Sequence, residues 1–315
     1  MINNMTKTFF LASLVAIGCT SQSGPESSDG YSGATWVSEL NYEGEYHFDN
    51  MRQLTDGGDN AEAYFSFDGE KLTFQSNAEK WGNNCDQIYA FDWALDTILE
   101  HEPTMISNGL GRTTCAYFLP GDTTILYAST FKGDSACPAV PERGEGGAYV
   151  WPIYEDFDIY VSDLKGNIID TIISGPGYDA EATVSPDGSK IVFTSTRSGD
   201  LELYVCDIDG SNITQVTDGL GYDGGAFFSP DSKKLVFRSS RPTSEEEVEK
   251  YTSLLANGLV EPTSMELYTC DVDGENLTQI TSLGQANWAP FFHPNGDKIV
   301  FSSNHHSEKG FPFNL

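Results

Sequence analysis

Polar residues spaced two apart raise the question of chemistry. Asn60 and Glu62, Thr113 and Cys115, Asp179 and Glu181, Asp223 and Gly225, and Asn287 and Ala289 each stand just ahead of an apolar run. If the segments carrying them are equivalent in space, their oxygens gather near one axis. Carboxylates so placed repel one another unless a cation or water network compensates them. An oxygen-rich set of that kind suits Ca2+. Asp179, Asp223, Glu62 and Glu181 are therefore the metal candidates, and calcium is the one cofactor the sequence suggests. The plainer arrangement is a solvated acidic channel whose Asp and Asn side chains cap backbone groups. Glu62 and Glu181 are the carboxylates to nominate if the chain is an enzyme. Arg112, Tyr178, Tyr222 and Trp288 stand beside these positions and add cationic and aromatic contact groups. There is no G-x-S-x-G nucleophile elbow, no H-E-x-x-H and no phosphate loop, so no catalytic residue is assigned. The Asp-rich runs from Asp207 and Asp271 place Gly fourth, where a calcium-binding EF-hand loop needs it sixth, and read as hairpin turns.

The elements that must position these residues follow from self-similarity. Residues 63–76, 116–129, 182–195, 226–239 and 290–303 align. Each is an apolar strand, a Pro/Asp/Gly turn and a second strand, which is a hairpin signature. Third strands follow at 86–92, 157–163, 201–207 and 265–271, and fourth strands at 213–219 and 277–283. Four short antiparallel strands repeated radially describe the blade of a β-propeller, an all-β fold. On strict strand alternation, the Asn60 and Glu62 columns both face the central channel and converge at its mouth. The repeats are unevenly spaced because two insertions separate second from third strands. One, near 131–156, carries Tyr149, Trp151 and Tyr154. The other, near 241–263, holds Ser244 and Glu247 as a capping box, followed by Val248, Tyr251, Leu254 and Leu255 at helical spacing. Both insertions fall on one face. Tyr149, Trp151, Tyr154 and Tyr251 are the expected partner contacts, since aromatic residues dominate interface energetics.

The Ser-Pro-Asp-Gly turn before Lys-x-Val-Phe-x-Ser, and the Leu-Tyr-x-x-Asp-x-Asp-Gly hairpin, resemble the repeats of TolB-type, WD-like propellers of the bacterial envelope. The resemblance covers roughly 45–315 and implies a six-bladed propeller, of which five repeats are visible. Met51–Thr55 is similar to a fourth strand, and Phe311–Leu315 breaks off where a third strand begins. Either these two segments pair to close five blades, or the chain is a propeller truncated at its C-terminus; the family pattern favours truncation.

The N-terminus reads as an address. Lys7 and the apolar run from Phe9 to Ile17 form a signal peptide over 1–18, too short to span a bilayer. Ala16-Ile17-Gly18-Cys19 resembles the lipobox of bacterial lipoproteins, in which the Cys is acylated. Residues 19–44 then form a flexible tether ahead of the propeller at 45–315. The net charge of −30 excludes nucleic acid as a ligand and any membrane contact beyond the lipid anchor. Cys206 and Cys270 share a third-strand column and read as packed thiols. Two of Cys85, Cys115 and Cys137 are expected to pair in an oxidising compartment, in a combination that sequence leaves open.

The expected function is that of an exported, lipid-anchored propeller of the periplasm or outer membrane. It would be a non-catalytic platform binding an envelope protein or small ligand on the insertion-bearing face. The alternative is a glycan-active or peptidase-associated enzyme with an acidic or metal-binding channel. The address itself is testable. Mass spectrometry of the membrane fraction is expected to find acylated Cys19 as the first residue, and Cys19→Ser to leave the protein soluble.

Overall fold

Twenty strands and one α-helix were described in a computed structural model over residues 53–82, 85–93, 102–141, 149–308 and 313–315. The segments read as signal peptide and tether, residues 1–44 with Cys19, lie outside these residues. Blade one pairs β1 (Asn60–Phe65), β2 (Lys71–Ser76), β3 (Gln87–Asp92) and β4 (Thr104–Met105) in that order. Blade two is β5 (Thr113–Phe118) and β6 (Thr124–Ser129), then, past β7 (Trp151–Pro152), β8 (Asp158–Asp163) and β9 (Ile168–Ile173). Blade three is β10 (Asp179–Val184), β11 (Lys190–Ser195), β12 (Glu202–Asp207) and β13 (Thr214–Gln215). Blade four begins with β14 (Asp223–Phe228) and β15 (Lys234–Ser239). After α1 (Glu245–Ala256) and β16 (Leu259–Val260) it is completed by β17 (Glu266–Asp271) and β18 (Thr278–Gln279). Blade five pairs β19 (Asn287–Phe292) with β20 (Ile299–Ser303). Asn314 then bridges Ser303, the level at which third strands begin in the other blades.

The innermost strands β1, β5, β10, β14 and β19 stand side by side in that order, as a β-propeller requires. The second strands are the core. Ile125, Leu126 and Tyr127, Ile191, Val192 and Phe193, and Leu235, Val236 and Phe237 are all fully buried. Consecutive residues are buried there because both faces of blades two, three and four pack on a neighbour. Cys206 and Cys270 are buried in the same interfaces.

Every innermost strand carries a β-bulge at the same level. Register shifts lie between Ala61 and Tyr64, Thr114 and Tyr117, Ala180 and Thr183, Gly224 and Phe227, and Trp288 and Phe291. The extra residue is left-handed each time: Glu62, Cys115, Glu181, Gly225 and Ala289 have φ between 48° and 58°. Such a bulge places two residues opposite one and turns the strand. Strict alternation across these strands is therefore corrected.

The insertions are joined to each other. β7 and β16 form a two-stranded sheet, with Trp151 opposite Val260 and Pro152 opposite Leu259. α1 opens on the capping box of Ser244 and Glu247, and its Tyr251 is buried with the hydroxyl bonded to Asp200. Cys85, just ahead of blade one's third strand, is disulfide-bonded to Cys137 in the first insertion, which leaves Cys115 free. The bond closes a 52-residue separation, and chain entropy alone makes such a loop worth about 4 kcal/mol.

Candidate functional site

The bulge divides the two sequence columns between different jobs. Thr113, Asp179, Asp223 and Asn287 are buried at the starts of their strands. Their amides donate to carbonyls of the preceding blade: Thr113 to Asp86 at 3.1 Å, Asp179 to Phe157 at 2.9 Å, Asp223 to Leu201 at 2.9 Å and Asn287 to Met265 at 3.2 Å. This column clasps neighbouring blades, and the expectation that it lines the channel mouth is corrected. Asp179 accepts from Arg197 at 2.8 Å, and Asp223 takes both Nη atoms of Arg241, at 2.6 and 2.7 Å. Asn287 binds the Met265 carbonyl at 2.8 Å, and Arg112 pairs with Asp86. Asn60, in the first blade, is exposed and bonds the Gly57 and Gly58 carbonyls.

The bulged column faces the channel. Both oxygens of Glu181 are engaged: Oε1 by the Tyr222 hydroxyl and by Arg238 Nη2 at 2.7 Å, Oε2 by Thr194 Oγ1 at 2.9 Å and the Gly225 amide at 2.7 Å. Gly225 makes room for the arginine here. It is left-handed, and a Cβ on it would lie 2.0 Å from Arg238 Nη1. Glu62 accepts from the Tyr64 hydroxyl, and burial pushes its carboxyl above the usual range against the pull of Arg238. Free Cys115 lies in the same cluster; its thiol is pushed well up by burial and by the charges of Glu62 and Glu181. Its amide donates to Gln75 of the preceding blade at 3.2 Å. The four carboxylates thus separate, with Glu62 and Glu181 in the channel around one guanidinium and Asp179 and Asp223 in the clasps. Among the described residues no group of three or more His, Cys, Asp or Glu is arranged to hold a metal ion.

The joined insertions close this end of the channel. Arg238 lies 5.3 Å from the ring centres of both Trp151 and Tyr222, a cation–π arrangement. Trp151 packs on Trp288 at 5.3 Å, and Trp288 donates its indole N–H to the Pro262 carbonyl at 3.0 Å. Tyr178 is buried with its edge against Phe157. Of the four expected partner contacts, only Tyr149 is exposed. Trp151 is turned inward, Tyr154 donates to the Ala139 carbonyl at 2.8 Å, and Tyr251 is buried beneath α1, so their expected exposure is corrected. Arg238 was not among the sequence candidates, although it is the only large basic residue where other second strands have Gln75, Ala128, Thr194 and Ser302.

A second ionisable group is buried behind the Asp223 clasp. Glu202 has one carboxyl oxygen without a hydrogen-bond partner. Burial, then the charges of Asp223 and Asp200, push its carboxyl up to about 8 against the hydrogen bond from Thr217. The Asp207 turn, by contrast, is an ordinary hairpin: Asn212 Nδ2 donates to Asp207 at 2.7 Å and Lys190 pairs with it at 2.9 Å.

Residues 137–246 match the TolB beta propeller domain family. The crystal structure of TolB from Acinetobacter baumannii superposes with a TM-score of 0.53 at 19% identity, covering 78% of this chain and 49% of that one. Hydrazine synthase of Kuenenia stuttgartiensis superposes with a TM-score of 0.55 at 14% identity, covering 81% of this chain and 37% of that one. This chain therefore spans about half the length of the TolB structure it matches. No similar sequence was found among curated proteins. The fold is that of a TolB-like propeller.

Two predictions follow from the site. Arg238→Ala leaves Glu181 and Glu62 without their cation, and is expected to cost about 3–5 kcal/mol in denaturant unfolding. Adding Glu181→Gln should recover part of that loss. Glu202 binds its proton more tightly folded than unfolded, so stability should fall as pH rises from the ordinary carboxylate range through about 8. Glu202→Gln is expected to flatten that decline, raising the melting temperature at alkaline pH while changing it little near pH ~5.

Proposed function

We propose that this chain is an exported propeller of the bacterial envelope, anchored through Cys19, that acts as a non-catalytic binding platform on its insertion-bearing face. The observation that carries the reading is the sheet formed by β7 and β16. Two insertions from different blades are fastened to each other and seated on Arg238 through Trp151, which makes a preorganised surface at the channel end. Preorganisation lowers the ordering cost of binding. Its outward groups are Tyr149 and, on α1, Glu245, Glu246 and Glu249, so a partner with a basic surface would be complementary. The Cys85–Cys137 disulfide supports an oxidising, exported setting. The non-catalytic role is supported by Glu181, whose two oxygens are both committed to internal donors.

The enzymatic alternative draws on the meeting of Glu62 and Glu181 in one channel. Polysaccharide turnover by the purified protein, lost in Glu62→Gln, would replace the platform reading. Photo-cross-linking in intact cells tests the platform directly. A cross-linker at Tyr149 or Glu246 is expected to capture the same envelope protein, and one at Ile169, exposed on the outer strand of blade two, should not. Identical capture from all three positions, or none from the insertion face, would overturn the reading.

A further inference from the structure

The opposite end of the channel is open and built differently. Below the bulges four innermost strands turn an aromatic side chain to the channel at one level, Tyr64, Tyr117, Phe227 and Phe291. Tyr64, Phe65, Phe67, Tyr117, Phe227 and Phe291 line a funnel of about 620 Å³. The rings touch across the axis: Tyr64 lies 5.3 Å from Tyr117 and 5.6 Å from Phe227, which lies 5.2 Å from Phe291. Phe65, Phe67 and Phe291 are 48%, 42% and 44% exposed. An exposed, concave aromatic surface of this size has the dimensions of a small-molecule site.

Charge narrows the class of ligand. The hairpin turns at the funnel's rim hold Asp68, Asp122, Asp187 and Asp231. Asp122 accepts from the amides of Phe67 at 2.8 Å and Asp68 at 3.0 Å, which holds its carboxylate on the turn of blade one. Hydroxyls of Ser66, Ser185 and Ser229 bond Asp68, Asp187 and Asp231 and hold their carboxyls below the usual range. The lysines that follow two of these turns reach outward instead, Lys190 to Asp207 at 2.9 Å and Lys234 to Asp271 at 2.5 Å. At the inner end, the Tyr64 hydroxyl leads to Glu62, where two carboxylates share the single guanidinium of Arg238. Aromatic faces beside a rim of four aspartates, which Lys71 and Lys233 offset only in part, attract the same thing, a cation with a poorly hydrated surface.

We infer that this funnel binds a small organic cation, an alkyl- or methylammonium group carried on an apolar stem. The site is on the face away from the insertions and stands independently of the partner surface proposed there. Choline is the probe, and 3,3-dimethylbutan-1-ol is its neutral counterpart of the same shape. Titration of the full chain by calorimetry is expected to show choline binding about tenfold tighter than the alcohol, as cation–π contacts with several rings require. Phe67→Ala, at an exposed position that leaves the core intact, should weaken choline severalfold. Glu62→Gln should narrow the difference between the two probes. Equal binding of choline and the alcohol would show a funnel that takes apolar groups irrespective of charge, and would overturn the proposal. So would absence of choline binding, or choline binding unchanged in Phe67→Ala.

Discussion

One backbone distortion, repeated five times, organises the rest of the molecule. At each innermost strand two residues stand opposite one, and the extra residue takes positive φ. For Glu62, Cys115, Glu181 and Ala289 that conformation carries a cost that glycine would not have. The return is geometric. Above the bulge, strand ends reach sideways and clasp the preceding blade; below it, in four of the strands, an aromatic side chain turns into the channel. The bulge also leaves amides without ladder partners, and neighbouring blades supply them, Gln75 for Cys115 and Glu181 for Gly225. Buried amides need such partners, so the distortion itself bonds blade to blade.

Electrostatics follow from the same geometry. Glu181 and Glu62 reach the channel because they are the bulged residues, and Arg238 meets them because Gly225 has no side chain to obstruct it. Removing two carboxylates and a guanidinium from water is costly, and it is tolerated where each is well bonded. Glu181, with four donors, meets that condition more fully than Glu62, whose bonded partner is Tyr64. The closed channel end is accordingly rigid and polar inside, whereas the open end is apolar inside and charged at its rim.

Much of this was legible in the sequence. The five hairpins, the third-strand column of Cys206 and Cys270, and the Ser244–Glu247 capping box are local patterns, and the structure contains each. The two columns ahead of the strands were legible as columns, but their directions were not. Four of the five bulged residues are not glycine, so nothing local announced the left-handed turn, and alternation was carried one step too far. The disulfide partner of Cys85 required knowing which insertion lies beside blade one. The inward turn of Trp151 required knowing that the insertions pair with each other. Both facts are tertiary, and neither leaves a trace in spacing.

The pairing of β7 with β16 has a consequence for the order in which the molecule assembles. Trp151 is made long before Val260, and the second half of blade two, all of blade three and the first half of blade four lie between them. Contacts between residues so distant in sequence form late, after the intervening chain has closed. During synthesis the first insertion must wait with its tryptophan uncovered while two further blades are laid down. The arrival of Leu259 and Val260 then pins the strand that holds the indole over Arg238, and Trp288 of the next blade packs on it afterwards.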